Sequence, residues 1–101
     1  MSNCAASEQS KGILVADVTG LDKPVNNGTK VSFGVITVFN ETDQDILVSY
    51  KNTAAEDANF YVPKDGRSFT RVINQGLMNG SIRIKTTGAE ATGHVIINLG
   101  N

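Results

Sequence analysis

Rhythm constrains this chain more than any other feature. Short runs of β-branched and aromatic residues alternate with clusters of Gly, Asn, Asp and Pro, and no amphipathic run is long enough for a stable helix. Strands are expected at Lys11–Val18, Lys30–Asn40, Ile46–Lys51, Phe60–Val62, Arg67–Ile73, Ser81–Thr86 and His94–Leu99. Turn signals stand between them at Asn26-Asn27-Gly28, Lys64-Asp65-Gly66 and Asn79-Gly80, and the acidic stretch Glu41–Asp45 reads as the tip of a hairpin returning through Ile46. The stretch Ala54–Ala58 has helix-forming composition but is too short for more than one turn. About seven strands at roughly ten-residue spacing, without helical crossovers, predict an all-β fold. The expectation is a single antiparallel β-sandwich, jelly-roll or immunoglobulin-like.

At 101 residues there is room for one domain. Residues 1–10 are small and polar and read as a flexible arm; 11–101 form the sandwich. With 40% hydrophobic residues and a net charge of −1, the chain has the balance of a folded domain and lacks the positive excess of a nucleic-acid binder. Its apolar runs are too short for a membrane-spanning helix. The leader Met1–Glu8 has neither a basic head nor an apolar core, so synthesis in the cytoplasm without an export signal is expected. One cysteine, Cys4, and one histidine, His94, allow neither an internal disulfide nor a Cys/His zinc site. Both read as incidental: Cys4 in the arm, His94 at a surface or edge position.

Chemistry-bearing patterns are sparse. Glu41, Asp43 and Asp45 lack the spacing of a calcium loop and read as a solvated acidic turn. Asn27-Gly28-Thr29, Asn40-Glu41-Thr42 and Asn79-Gly80-Ser81 match the glycosylation sequon as a by-product of turn composition. No serine has a nucleophile elbow near it, and Gly76–Gly80 lacks the lysine and helix of a phosphate loop. Arg67, Arg71, Arg83 and Lys85 would make a basic stripe if their strands were neighbours, and a charged outer sheet face is the simpler reading. No catalytic residue, cofactor or metal is therefore assigned, and an enzyme is not expected.

The strand faces say more. Ser81–Thr86 alternates cleanly, with Ile82 and Ile84 on one side and Arg83 and Lys85 on the other. Other strands are apolar on both sides. Val31, Phe33, Val35 and Phe39 share one face of the long strand, with Ile36 and Val38 opposite; Ile13 and Val15 oppose Leu14, Ala16 and Val18; Val95, Ile97 and Leu99 oppose Ile96. A two-layer sandwich buries one face of each sheet, so the second apolar set needs another cover. Leu14, Val18, Ile36, Val38 and Ile96 are accordingly the expected interface residues, meeting copies of the chain in a dimer or trimer or meeting a partner protein.

A pattern of turns adds a resemblance. Phe39–Tyr50 carries an Asn-x-Thr-Asp turn and a strand ending Val-Ser-Tyr; Phe60–Phe69 carries a Phe-x-Val-Pro corner and a Gly-bearing turn; Gly76–Lys85 continues the series. Over roughly residues 31–99 this resembles small all-β virion proteins of tailed bacteriophages, of the decoration or cement kind. The resemblance implies a non-enzymatic subunit of the virion that binds a coat or connector protein and stabilises the assembly, its arm ordering on the lattice. The other function the residues allow is a carbohydrate-binding or adhesion module, with Tyr50, Phe60 and Tyr61 as the aromatic rings available to sugars.

Overall fold

The computed structural model describes residues 12–25, 31–50, 60–73 and 78–100. Ten strands follow in order: β1 (Ile13–Ala16), β2 (Lys23–Pro24), β3 (Val31–Phe33), β4 (Val35–Thr42), β5 (Ile46–Ser49), β6 (Phe60–Val62), β7 (Arg67–Val72), β8 (Met78–Gly80), β9 (Arg83–Thr86) and β10 (Gly93–Gly100). Each strand of the first half pairs antiparallel with its mirror image in the second: β1 with β10, β2 with β9, β3 with β8, β4 with β7 and β5 with β6. The chain is thus one long two-stranded ribbon. Rolling it brings β10 against β4 and β9 against β5. The result is two four-stranded antiparallel sheets packed as a sandwich, β1-β10-β4-β7 and β2-β9-β5-β6, with β3-β8 as a small third ladder. That is jelly-roll topology, and it decides between the two sandwiches expected.

The core is aliphatic. Ile36, Val38, Val95 and Ile97 from the first sheet meet Ile46, Val48, Val62 and Ile84 from the second, all fully buried. Alternation holds in β9, where Ile84 is inside while Arg83 and Lys85 face outward. It breaks in the long Lys30–Asn40 run. Gly34 separates β3 from β4; its N–H donates to Gly100 O at 2.7 Å and its carbonyl accepts from Ile73 N at 2.8 Å. This break shifts the phase by one residue, so that Phe33 and then Ile36 and Val38 all point inward, while Val35 and Phe39 turn outward. A similar event follows β1: Asp17 takes a left-handed φ of 57°, the chain swings in, and Val18 is buried.

Other expectations are corrected by the same topology. β4 and β5 do not form a hairpin; the Asp43–Asp45 turn carries the chain from one sheet to the other. Asn79-Gly80 is strand rather than turn, opposite Val31 and Ser32. Pro24, which falls between the first two expected strands, lies in a two-residue edge strand, where a residue without N–H is tolerated. The arm 1–10, Cys4, the Asn26–Gly28 turn and the Ala54–Ala58 turn lie outside the described residues.

A polar knot replaces the ladder where β4 leaves its sheet. Asn40 and Thr42 lie on the inward face and are buried. Asn40 Nδ2 donates to Gln44 O at 2.8 Å, Val62 O at 2.9 Å and Pro63 O at 3.1 Å. Its Oδ1 accepts from Thr42 N at 3.0 Å and Thr42 Oγ1 at 2.6 Å. One amide therefore ties the β4–β5 crossing to the Pro63 corner. The open sides of the sandwich are bridged by cations: Lys23 Nζ donates to Ala16 O between β2 and β1. Arg71 lies 5.5 Å from the centroids of both Phe60 and Phe69, which stack at 4.8 Å between β6 and β7.

Candidate interaction surface

The register of the first sheet lays its outward side chains in rows. Leu14, Ile96, Phe39 and Ser68 are successive partners across all four strands. Leu14 is 64% exposed and Phe39 and Ile96 are half-buried, so three adjacent strands present one apolar row. The next row holds Asn98, Thr37 and Thr70, with the two threonine hydroxyls 3.0 Å apart. Beyond it stand Gly100, Val35 and Val72, the last 57% exposed.

On the other flank of the apolar row, His94 and Glu41 are cross-strand partners, and His94 Nε2 lies 2.7 Å from Glu41 Oε1. Among the described residues these are the only ionisable groups on this face, and they pair with each other. The outer face of the second sheet contrasts with it. There Leu47 lies between Lys85 and Tyr61, and Arg83 is ion-paired with Asp22.

Of the five residues expected at an interface, two stand on this outer face, Leu14 and Ile96. Val18, Ile36 and Val38 do not: each is fully buried inside its own chain, for the phase shifts at Asp17 and Gly34 described above. Their places are taken by Phe39, Val35 and Val72. Phe39 and Val35 were visible to period-two reading but on the wrong side of it. The outward position of Val72, on a strand whose charged residues Arg67 and Arg71 lie on the inner side, had no signal in the sequence.

The chemistry-bearing groups are engaged structurally. Asp43 accepts from Thr92 N at 2.9 Å and Asp45 from Lys64 N at 3.0 Å, so the acidic turn staples the loops at this end of the sandwich. Among the described residues no three His, Cys, Asp or Glu side chains gather as a metal site. The amide of Asn40, which its sequon would offer to a glycan, is buried in the polar knot. His94 lies on a central strand, not an edge. Arg67 and Arg71 belong to one sheet and Arg83 and Lys85 to the other, so no continuous basic stripe forms. Of the rings considered for sugar stacking, Tyr50 is buried edge-on against Phe33 at 6.1 Å and Phe60 is buried against Phe69; Tyr61 alone is exposed.

Comparison with models of protein families, with curated proteins and with solved structures returns no match for this chain.

Proposed function

We propose that the protein is a non-enzymatic structural subunit of a virion, a head decoration or cement protein that binds and stabilises a coat or related assembly. The observation that carries this reading is the outer face of the β1-β10-β4-β7 sheet, where Leu14, Ile96 and Phe39 form an apolar row with no ionisable side chain in it, Glu41 and His94 being hydrogen-bonded to each other to one side of it. Loss of charge at the centre of a surface is the compositional mark of a contact between proteins. The jelly-roll suits the role, because its core is complete within one chain and leaves whole sheet faces for neighbours. A sugar-binding module is less well supported, since two of its three candidate rings are core.

Mass spectrometry of purified particles, produced from the genome that encodes the chain, tests the assignment. A fixed copy number relative to the coat is expected, lost together with heat resistance of the particle when the gene is deleted. Absence from purified particles overturns it.

A further inference from the structure

Among the described strands, β1, β7, β2 and β6 are the edges of the two four-stranded sheets, and three of them resist pairing. β2 is two residues long and contains Pro24, β6 stops at Pro63, and β7 carries Arg67 and Arg71 on its inner side. β1 has none of these guards: Ile13–Ala16 is uncharged and free of proline, and Leu14 is 64% exposed. We infer that β1 pairs antiparallel with β1 of a second copy of this chain, edge to edge, across a two-fold axis at Leu14. The inference goes beyond the structural role proposed above and stands without it.

The phase of the ladder shows which groups the edge offers. Ile73 N donates to Gly34 O, next to the partners Val35 and Val72, so even-numbered residues of β4 bond to β7 and odd-numbered ones to β10. Carried through the register, the even-numbered residues of β10 bond to β4 and the odd-numbered ones to β1. In β1, Ile13 and Val15 therefore hold the ladder, while Leu14 and Ala16 aim N–H and C=O away from the sheet. The Lys23 ammonium that reaches Ala16 O across the open side fits this phase. Among the described residues no backbone group bonds to Leu14 on that side. An unpaired N–H and C=O on an extended strand are answered by another extended strand.

The order of residues around Leu14 points to the same strand as the occupant. An antiparallel pair centred there sets Leu14 opposite Leu14 of the second copy, Ile13 opposite Val15 and Gly12 opposite Ala16. The outward groups of Leu14 then bond reciprocally, and Ala16 O, with one lone pair taken by Lys23, keeps the other for Gly12 N–H. Apolar side chains meet apolar side chains on both faces. One position further along the sequence, Lys11 falls opposite Asp17, an exposed carboxylate, at each end of the match. Opposite charges across a strand pair stabilise it and like charges oppose it. A parallel pair in the same register would set lysine against lysine and aspartate against aspartate, so charge selects the antiparallel, two-fold arrangement. Two strands this short make a small contact, and a reversible dimer is the form it takes.

Sedimentation equilibrium of the full chain is the test, over a concentration range reaching about 1 mM. A monomer–dimer equilibrium is expected. Leu14→Pro removes an N–H that the ladder with β10 does not use, so the fold should survive while dimerisation weakens at least about tenfold. Thr70→Pro, at an outward N–H of the β7 edge, should leave the dimer unchanged. At low salt Asp17→Lys should weaken the dimer, and the double reversal Lys11→Asp/Asp17→Lys should restore it. A wild-type chain that stays monomeric throughout, a dimer indifferent to Leu14→Pro, or a double reversal as weak as Asp17→Lys alone overturns the inference. Should Leu14→Pro fail to fold, oxidation in a Cys4→Ser background decides. Hydrogen-bonded partners in an antiparallel pair stand about 5.5 Å apart at Cα, within disulfide reach. Leu14→Cys should therefore cross-link as a dimer and Tyr61→Cys should not; the reverse result refutes the edge.

Discussion

At the scale of single residues, Asn40 and Gly93 hold positions that no other side chain fits. Asn40 serves three carbonyls and one hydroxyl–amide pair from a fully buried site. Replacing it with leucine keeps the branched heavy-atom skeleton but leaves the Val62 and Pro63 carbonyls without that donor. Each buried group left unsatisfied costs about 1–3 kcal/mol, so Asn40→Leu should lower stability by about 3 kcal/mol in urea unfolding. A change below about 0.5 kcal/mol would show the knot to be dispensable. Gly93 has φ of 109°, and a Cβ there would stand 2.3 Å from the Glu41 carbonyl oxygen. Gly93→Ala forces the start of β10 away from β4, and a loss of about 3 kcal/mol is expected, read as a lowered melting temperature. Gly88, with open space around it, is the control: Gly88→Ala should move stability by less than about 1 kcal/mol. The sequence marks Asn40 as the end of a strand and the first residue of a sequon, and Gly93 only as the residue before the last expected strand. Their roles depend on backbone brought from β6 and β4, which no local pattern reports.

At the scale of strands, the edges are where this fold has to prevent unwanted pairing. β2 is two residues long and contains Pro24, and β6 stops at Pro63. β7 is longer, six residues, and lies at the edge of its sheet among the described strands. Its protection is Arg67 and Arg71, which lie on the inner side of the sheet, opposite Asn40 and Ile36. An inward charge at an edge resists addition of another strand, because pairing would trap it away from water. The double variant Arg67→Thr/Arg71→Thr should therefore aggregate on mild heating, with rising light scattering below the unfolding transition. Scattering no greater than that of the wild type would remove this role. Arg71→Thr alone should also cost about 1 kcal/mol, because its guanidinium covers the Phe60–Phe69 stack. Most strands were legible from β-branched runs. β2 and β8 were not, since Lys23-Pro24 and Met78–Gly80 have the composition of turns and are strands only by virtue of their partners.

At the scale of the whole molecule, the nested ribbon makes contact order high. Ile13 pairs with Ile97, and Val35 with Val72, so most of the chain must be gathered before the outer ladders close. Folding in stopped-flow is expected on the scale of milliseconds to seconds, as for other sandwiches dominated by distant pairing. Microsecond folding would mean that local structure carries more of the stability than the topology suggests. β10 lies between β1 and β4, so deletion of residues 93–101 removes two ladders and should abolish cooperative unfolding altogether. A sharp thermal transition in that truncated chain would contradict the central place given to β10.

The amino-acid order alone determined the class: short β-branched runs bounded by Gly, Asn and Asp allow an antiparallel sandwich, and alternation in β9 assigns its faces correctly. It could not determine the phase of the long run through Gly34, because both faces there are apolar and period two is silent about which one is inside. Tertiary structure decided that by packing Ile36 and Val38 against Ile46 and Val48 and turning Phe39 outward. It also decided which partner each strand takes, since pairing free energy comes from residues far apart in the chain.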